Sequence, residues 1–580
     1  MKKTMIVLAV LALVACTTGA LLAQSPEDAK FKKFQDTFWD AYFKFYPTAG
    51  TLQGYTKYND KLEDPSEGAL DKFHEVLTAF NGDIISKIDK TKLSADNQVE
   101  HEMMLDFMDL EFLKLETLLP WNDNPLLYND LFVQSLRSLL VKLGPGGVAP
   151  ATARAKAIPG LVKRAKDSLK NPPQEYTQAA IDQMPAIIDF YKTEVAKLSG
   201  GSAALQAETV KCVAALEDYQ NFLKSTLLPK STGNFRMRDP YLRALQRRTQ
   251  GFLAIRESII PQSQADVKNI RNAMGEICLP YFKLMYPTIN ADQLAAQKGV
   301  DAAVTAVIQG VLDKLKVDHV GREAYLDRIG QSMANLKGFL QKTSLIDVPG
   351  EEPKLEAMPG YMAPGLWFSL SGPGAFDTGG SFTVYAKMIP ADWSADQANS
   401  YLEEYNNFSI DLAAAKNVYP GPFAALYFTR RDASVVKRIA ANEALLAGWP
   451  VYAQNQLLFG GYGDYDLRVR LFQLKLLLKA AIDFQMDMNV HMGTYTKEKV
   501  LDYMTRSGFM TPAEAEAHWN RIVLNPGISA YAYIGYQEIL DMEKEYRKMK
   551  GESFSPKEFL QKLVSYGAIP LSKIRTDITK

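Results

Sequence analysis

Five histidines, His74, His101, His319, His491 and His518, are the residues from which hydrolytic metal chemistry could be built. Zinc hydrolases commonly carry His-Glu-x-x-His on a helix. The two imidazoles then sit one turn apart on one face, and the glutamate takes a proton from the metal-bound water. His74-Glu75 begins that word, but Thr78 stands where the second histidine belongs; His101-Glu102 begins it too, and Leu105 stands there. Both pairs lie in amphipathic stretches and read as partly buried or surface histidines. His491 with nearby acids would give one imidazole plus carboxylates, a weak set for a catalytic zinc that normally takes three protein ligands. There is no Gly-x-Ser-x-Gly elbow and no Walker-type phosphate loop. Gly460-Gly461-Tyr462-Gly463-Asp464 follows a helical stretch rather than a strand, so it reads as a loop between helices. Arg243, Arg247, Arg248 and Arg256 form the densest basic patch, either a solvated helix face or an anion site.

The elements that would position such residues are helices. Ser25-Pro26-Glu27-Asp28, Thr511-Pro512-Ala513-Glu514 and Ser555-Pro556-Lys557-Glu558 each set a hydroxyl cap, a first-turn proline and an acid at the third helical position. The cap accepts an orphan backbone N–H, and the acid suits the positive helix end. Ser394-Ala395-Asp396-Gln397 is a fourth capping box, without the proline. Apolar residues then recur at helical spacing: Phe559, Leu560, Leu563, Val564 and Tyr566 after Ser555, and Leu467, Leu471, Leu474 and Leu478 after Asp466. Tyr531, Tyr533 and Tyr536 form a stripe of core and rim packing. The fold class is mainly α. A Gly/Pro-rich seam at 349–390 departs from it, with Leu366–Leu370 and Ser381–Ala386 as short strands of a small hairpin or sheet around 360–390.

Bulk composition bounds the partners. Of the 580 residues, 47% are hydrophobic and 23% charged, enough to bury a large core. Lysine plus arginine equals aspartate plus glutamate, 66 each, so no nucleic-acid footprint is expected. Lys2 and Lys3 followed by the apolar run Met5–Ala15 read as a signal peptide over residues 1–23, too short to span a membrane. Two ends are open: a lipobox at Leu13-Val14-Ala15-Cys16, with Cys16 lipidated, or cleavage after Ala23. Residues 24–580 then form a single helical domain, exported to the periplasm or anchored at the envelope, with membrane contact only through a lipid on Cys16. Cys212 and Cys278 read as two buried thiols rather than a disulfide.

Several words in fixed order give the chain a resemblance. Phe38-Trp39-Asp40-Ala41-Tyr42, Tyr46-Pro47-Thr48-Ala49, Leu52-Gln53-Gly54, Val418-Tyr419-Pro420-Gly421, Gly448-Trp449-Pro450-Val451-Tyr452-Ala453, Gln473-Leu474-Lys475 and His491 resemble the bacterial family known as domain of unknown function 885. The resemblance implies a large multi-helix, metallopeptidase-like fold of gluzincin type. Family members carry His-Glu-x-Tyr-Pro-Gly-His and a distal Glu-Gly-Trp, which look like two histidine ligands, a base glutamate and a third ligand.

At those positions this chain carries other residues. Lys416 stands for the first histidine, Asn417 for the base, Pro422 for the second histidine, Ala447 for the distal glutamate, and Ala532 for a tyrosine that would steady an oxyanion. A cation repels zinc, an amide is no base near neutral pH, and proline and alanine side chains hold no donor. A pseudoenzyme with neither metal nor cofactor is therefore expected, binding a peptide-like ligand or an envelope protein. The alternative is an active hydrolase using a non-standard site in the same cleft. Tyr419, Trp449, Tyr452, His491 and Tyr533 are expected to line that cleft. Lys416 either fills the vacated metal position and pairs with a leftover carboxylate, or points to solvent at a helix end.

Overall fold

The computed structural model describes residues 25–249, 259–362 and 366–580. The leader with Cys16 and Ala23, and also Arg256, lie outside the described residues. The fold is mainly α with a small three-stranded sheet. The helices that bear on the site are labelled in chain order. They are α1 (Pro26–Phe45), α2 (Ala95–Leu113), α3 (Asp239–Arg248), α4 (Ile260–Met285), α5 (Ala395–Glu404), α6 (Ile410–Asn417), α7 (Pro422–Arg431), α8 (Glu443–Phe459), α9 (Leu467–His491), α10 (Pro512–Leu524) and α11 (Ile528–Lys550).

The caps act as their sequences require. The side chains of Ser25, Thr511 and Ser555 accept from the backbone N–H of Asp28, Glu514 and Glu558, at 2.9, 3.2 and 3.3 Å. Ser394 and Gln397 close both halves of a capping box at the start of α5. Gly460–Asp464 turns the chain from α8 into α9, and Gly461 and Gly463 take positive φ there.

The seam forms β1 (Lys354–Ala357), β2 (Phe368–Ser371) and β3 (Thr383–Ala386) in the order β1-β3-β2. β2 and β3 pair antiparallel, as the sequence suggests, and β1 adds a parallel pairing on the other edge of β3. β1 lacks the alternation and the β-branched content of a strand, because one backbone edge is all that recruits it. This segment ties distant helices together. Arg137 donates to Tyr361 and Tyr385, at 3.2 and 2.8 Å, and the Phe382 ring meets Phe423 of α7 edge-on at 5.1 Å.

Helix α9 is the axis of the C-terminal half. Its leucine spacing suggests a one-sided helix, yet from Leu471 to His491 every residue but Leu476 and Asn489 is buried. Its charged residues therefore need partners inside the protein. Helices α8 and α11 pack backbone to backbone: a Cβ on Gly535 would come 1.8 Å from the Ala444 carbonyl oxygen, and one on Gly448 would meet the Gly535 backbone at 2.3 Å. Cys212 and Cys278 are separate buried thiols, and burial pushes each to about 12.

Candidate functional site

The words that match the family prove to be packing words. The Trp449 indole of α8 donates to the carbonyls of Pro420 and Gly421, at 2.7 and 3.2 Å, and so clamps the turn between α6 and α7. A Cβ on Gly421 would lie 2.6 Å from the carbonyl oxygens of Ala415 and Lys416, so only glycine lets the chain fold back there. The same turn sets Lys416, Asn417 and Pro422 at the mouth of the α6–α7 corner.

The positions expected to hold metal ligands behave differently. Lys416, Asn417, Pro422, Ala447 and Ala532 are all half-buried. On α8, Leu446 and Ala447 alone break a run of buried residues from Ala444 to Leu457. Asn417 turns its amide onto its own helix, donating to Ala413 O at 2.8 Å. A donor set of lysine, asparagine, proline and alanine does not fit a zinc ion. Among the described residues no group of three or more histidine, cysteine, aspartate or glutamate side chains is arranged to hold a metal.

Lys416 sits beside a buried ion cluster assembled from four helices. Glu404 of α5 pairs with Lys475 of α9 at 2.9 Å and also with Lys479. Lys479 reaches Glu514 of α10 at 2.5 Å. Asp483, one turn further along α9, accepts from His518 Nδ1 at 2.7 Å and from Arg521 at 2.8 Å. Residues 475, 479 and 483 recur every four positions on α9, and 514, 518 and 521 make the facing stripe on α10, so the two stripes zip together. Burial would raise the Asp483 carboxyl, but its partners, His518 first, outweigh it and hold the group below the usual carboxylate range. Burial and the Glu404 charge push Glu514 up.

No carboxylate among the described residues stands within ion-pair distance of the Lys416 ammonium. Burial, then the Arg521 and Lys479 charges, lower its pKa to about 8 against the pull of Asp483. Lys416 thus neither forms a tight pair with a leftover carboxylate nor points freely to solvent. It is a cation held within range of Asp483 while His518 and Arg521 take that carboxylate's hydrogen bonds.

The five residues expected to line a cleft are core residues instead. Tyr419, Trp449, Tyr452 and Tyr533 are buried in the apolar clusters. Tyr533 donates to Asp266 of α4 at 2.7 Å, and Tyr419 donates to Glu351 O at 3.3 Å. His491 is fully buried, stacks on Tyr241 at 5.0 Å, and sets Nε2 at 3.0 Å from Ile522 O. Burial lowers it to about 4. Large aromatic rings beside a motif suggest a lining, but here their area is buried between helices. In the basic patch Arg243 and Arg247 pair with Asp109 and Asp106 of α2, and Arg248 with Glu443 of α8, while all three side chains stay partly exposed. His74 pairs with Glu116 at the surface, and His101 is buried with its Nε2 near Ile84 O. What the sequence reading missed is His518 and its partners. The i, i+4, i+7 spacing of Glu514, His518 and Arg521 was the available signal.

A separate cavity of about 520 Å³ lies between the end of α2, the chain before α3, and the α10–α11 connection, where Lys114, Arg236, Arg248 and Tyr531 reach its wall. None of the five replaced positions lines it.

Fold and site together define a large, mainly helical protein in which a helical corner is clamped by a tryptophan and a charged cluster stands beside it. The chain belongs to the family described as bacterial protein of unknown function, domain of unknown function 885, whose model matches residues 47–578. Two solved structures share the fold. A candidate lipoprotein of unknown function from Shewanella oneidensis is 21% identical, with a TM-score of 0.75, covering 95% of this chain and 100% of that one. A candidate lipoprotein from Colwellia psychrerythraea is 14% identical, with a TM-score of 0.73, covering 95% of this chain and 98% of that one. The comparison with curated proteins gives no match.

Proposed function

We propose that this chain is a catalytically silent, metallopeptidase-like member of its family that works at the cell envelope as a binding or scaffolding protein. One observation carries the reading. The positions that match the family's histidines, base and distal glutamate are Lys416, Asn417, Pro422 and Ala447, while the residues that hold the surrounding helices in place, Gly421, Gly448 and Trp449, remain. The frame supports a shaped corner, and the donor atoms for metal chemistry are absent from it. The leader-like N-terminus, with Cys16 as a lipid attachment point, and the names of the two structural relatives support the envelope location. No helix among the described residues is long and apolar enough to cross a membrane.

Metal analysis of the purified full chain with a broad peptidase screen tests the catalytic part. The expected result is substoichiometric zinc and no metal-dependent cleavage. Stoichiometric zinc, or cleavage abolished by a chelator, would overturn it; chelator-resistant cleavage would favour an active hydrolase with a non-standard site. Palmitate labelling of the wild type against Cys16→Ser tests the anchor, and equal labelling would remove it.

A further inference from the structure

Resting on the binding role proposed above, we infer that the cavity of about 520 Å³ between α2, the chain before α3 and the α10–α11 connection takes a carboxylate joined to a compact apolar body, either the C-terminal end of an apolar peptide or a free organic acid. The volume suits such a ligand, since sites for small organic molecules run from roughly 300 to 1,000 Å³. Leu113 of α2, Phe235 and Met237 before α3, and Leu524 of α10 give the wall its apolar part. The polar part is rich in donors. Lys114 and Arg248 each hold a carboxylate, Glu111 and Glu443, both at 2.6 Å. Those two acids do not line this cavity. They line a smaller one of about 110 Å³, whose wall Lys114 and Arg248 also reach. The two cations thus form a partition, with their acids on one side and the larger cavity on the other. Arg236 also reaches the larger wall, where it donates to Tyr495 O at 2.9 Å and has no carboxylate within ion-pair distance among the described residues. Asp123 is the one acid among the described residues of that wall, and it is exposed.

Tyr531 marks where the head group goes. The residue is only 3% exposed and lines the cavity, yet its hydroxyl makes no hydrogen bond among the described residues. A buried hydroxyl left without a partner costs stability, so its retention calls for a ligand. The oxygen is seated against bare backbone: a Cβ on Gly527 would lie 2.5 Å from it. Burial holds the phenol above its usual range, so it keeps its proton and donates. The Arg248 guanidinium lies 6.0 Å from the centre of the same ring, and among the described residues only its Nη1 is engaged, with Glu443. A phenol O–H and a guanidinium edge at one end of a cavity match the two oxygens of a carboxylate. Asn124, Asn171 and Asn234 spend their side-chain oxygens on the backbone N–H groups of Leu126, Thr232 and Arg236, at 3.0, 2.8 and 3.0 Å. What they offer the cavity is N–H as well. Because Lys114 and Arg248 keep their acids, little charge is left for a ligand, which favours a single carboxylate over a dianionic phosphate.

The test uses the full chain. Calorimetric binding and melting temperature are followed with N-acetyl-leucyl-phenylalanine as its free acid, with the same dipeptide as its C-terminal amide, with phenylacetate and with inorganic phosphate. Zinc content is measured in each sample. The free acid is expected to bind and to raise the melting temperature, since a ligand that binds only the folded state stabilises it. The amide and phosphate are expected to do neither. A stronger response to the dipeptide than to phenylacetate supports a peptide as the source, and equal responses support a free organic acid. Tyr531→Phe should weaken free-acid binding roughly ten- to a hundredfold, the loss of one hydrogen bond to a charged group. Without ligand that variant should melt no lower than wild type, because the lost hydroxyl holds nothing in the fold. Asp123→Asn removes the acid of the wall and should bind the free acid at least as tightly as wild type; weaker binding would overturn the anionic assignment. The inference fails if wild type binds neither carboxylate, if the amide or phosphate binds as well as the free acid, or if Tyr531→Phe binds unchanged. Such a failure in zinc-free protein leaves the catalytically silent reading standing, whereas stoichiometric zinc removes that reading itself.

Discussion

Asp483 and Asp487 sit one turn apart on α9, and both are buried, yet they are satisfied in opposite ways. Asp483 is held by His518 and Arg521 and stays below the usual carboxylate range. Among the described residues Asp487 has no cationic partner of that kind. It accepts from Tyr241 at 2.8 Å and from the backbone N–H groups of Gly527, Ser529 and Ala530 at 3.1, 3.2 and 3.3 Å. Those amides open α11, so Asp487 caps from a neighbouring helix what the α11 sequence leaves uncapped. Burial pushes its carboxyl up to about 7 against these donors. Neighbouring His491 is kept neutral by burial, and its Nε2 lies 3.7 Å from Asp487. One carboxylate therefore fixes a helix start, and the other belongs to a cluster of paired charges. Burial alone distinguishes nothing here; the identity of the donors does.

The sharpest way to break this comparison is to neutralise each acid. Asp483→Ala leaves Arg521 and His518 without their shared anion, and removing one partner of a buried pair costs about 3–5 kcal/mol. Asp487→Ala leaves a phenol and three amides unsatisfied but strands no charge, at about 2 kcal/mol. Urea denaturation of both variants measures the order; a larger loss at Asp487 would mean that the donors do not decide the difference.

The pH dependence sharpens it further. The Asp487 carboxyl is raised from 3.8 to about 7, so the folded state binds its proton more tightly, and stability falls as pH rises through that window. The imidazole of His491 is lowered from 6.5 to about 4, so the unfolded state binds the proton more tightly, and stability falls as pH drops through that window. Between pH 4 and 6.5 the two slopes oppose each other. Asp487→Asn should leave the His491 slope exposed, so the variant gains stability relative to wild type as pH rises from about 4 to 7. Denaturation midpoints at several pH values read this directly, and parallel curves would contradict it.

Ser529 joins the two regions and should show the smallest effect. Its amide serves Asp487 and its hydroxyl accepts from Arg521. Ser529→Ala removes only the second link, at about 1 kcal/mol or less, and should leave the pH profile unchanged. A changed profile, followed by the same denaturation series, would show that the regions titrate together.

Much of the frame was legible in the chain. Caps at Ser25, Ser394, Thr511 and Ser555, the glycine turn at 460–464 and the strands at 368–371 and 383–386 follow from local chemistry, because each is decided by residues within a few positions of one another. The residue types at Lys416, Asn417, Pro422, Ala447 and Ala532 are legible for the same reason. β1 was not, since its pairing with β3 joins residues about thirty positions apart. Nor was the role of α9. Lys475, Lys479, Asp483 and Asp487 at four-residue spacing look like the solvated face of an amphipathic helix. Only the packing of α5, α10 and α11 around that face turns it inward, and only there do His518 and Arg521 meet Asp483. Sequence determined which side chains the corner carries. The tertiary structure decided which charges are buried together, because pairing and desolvation depend on helices that are distant in the chain.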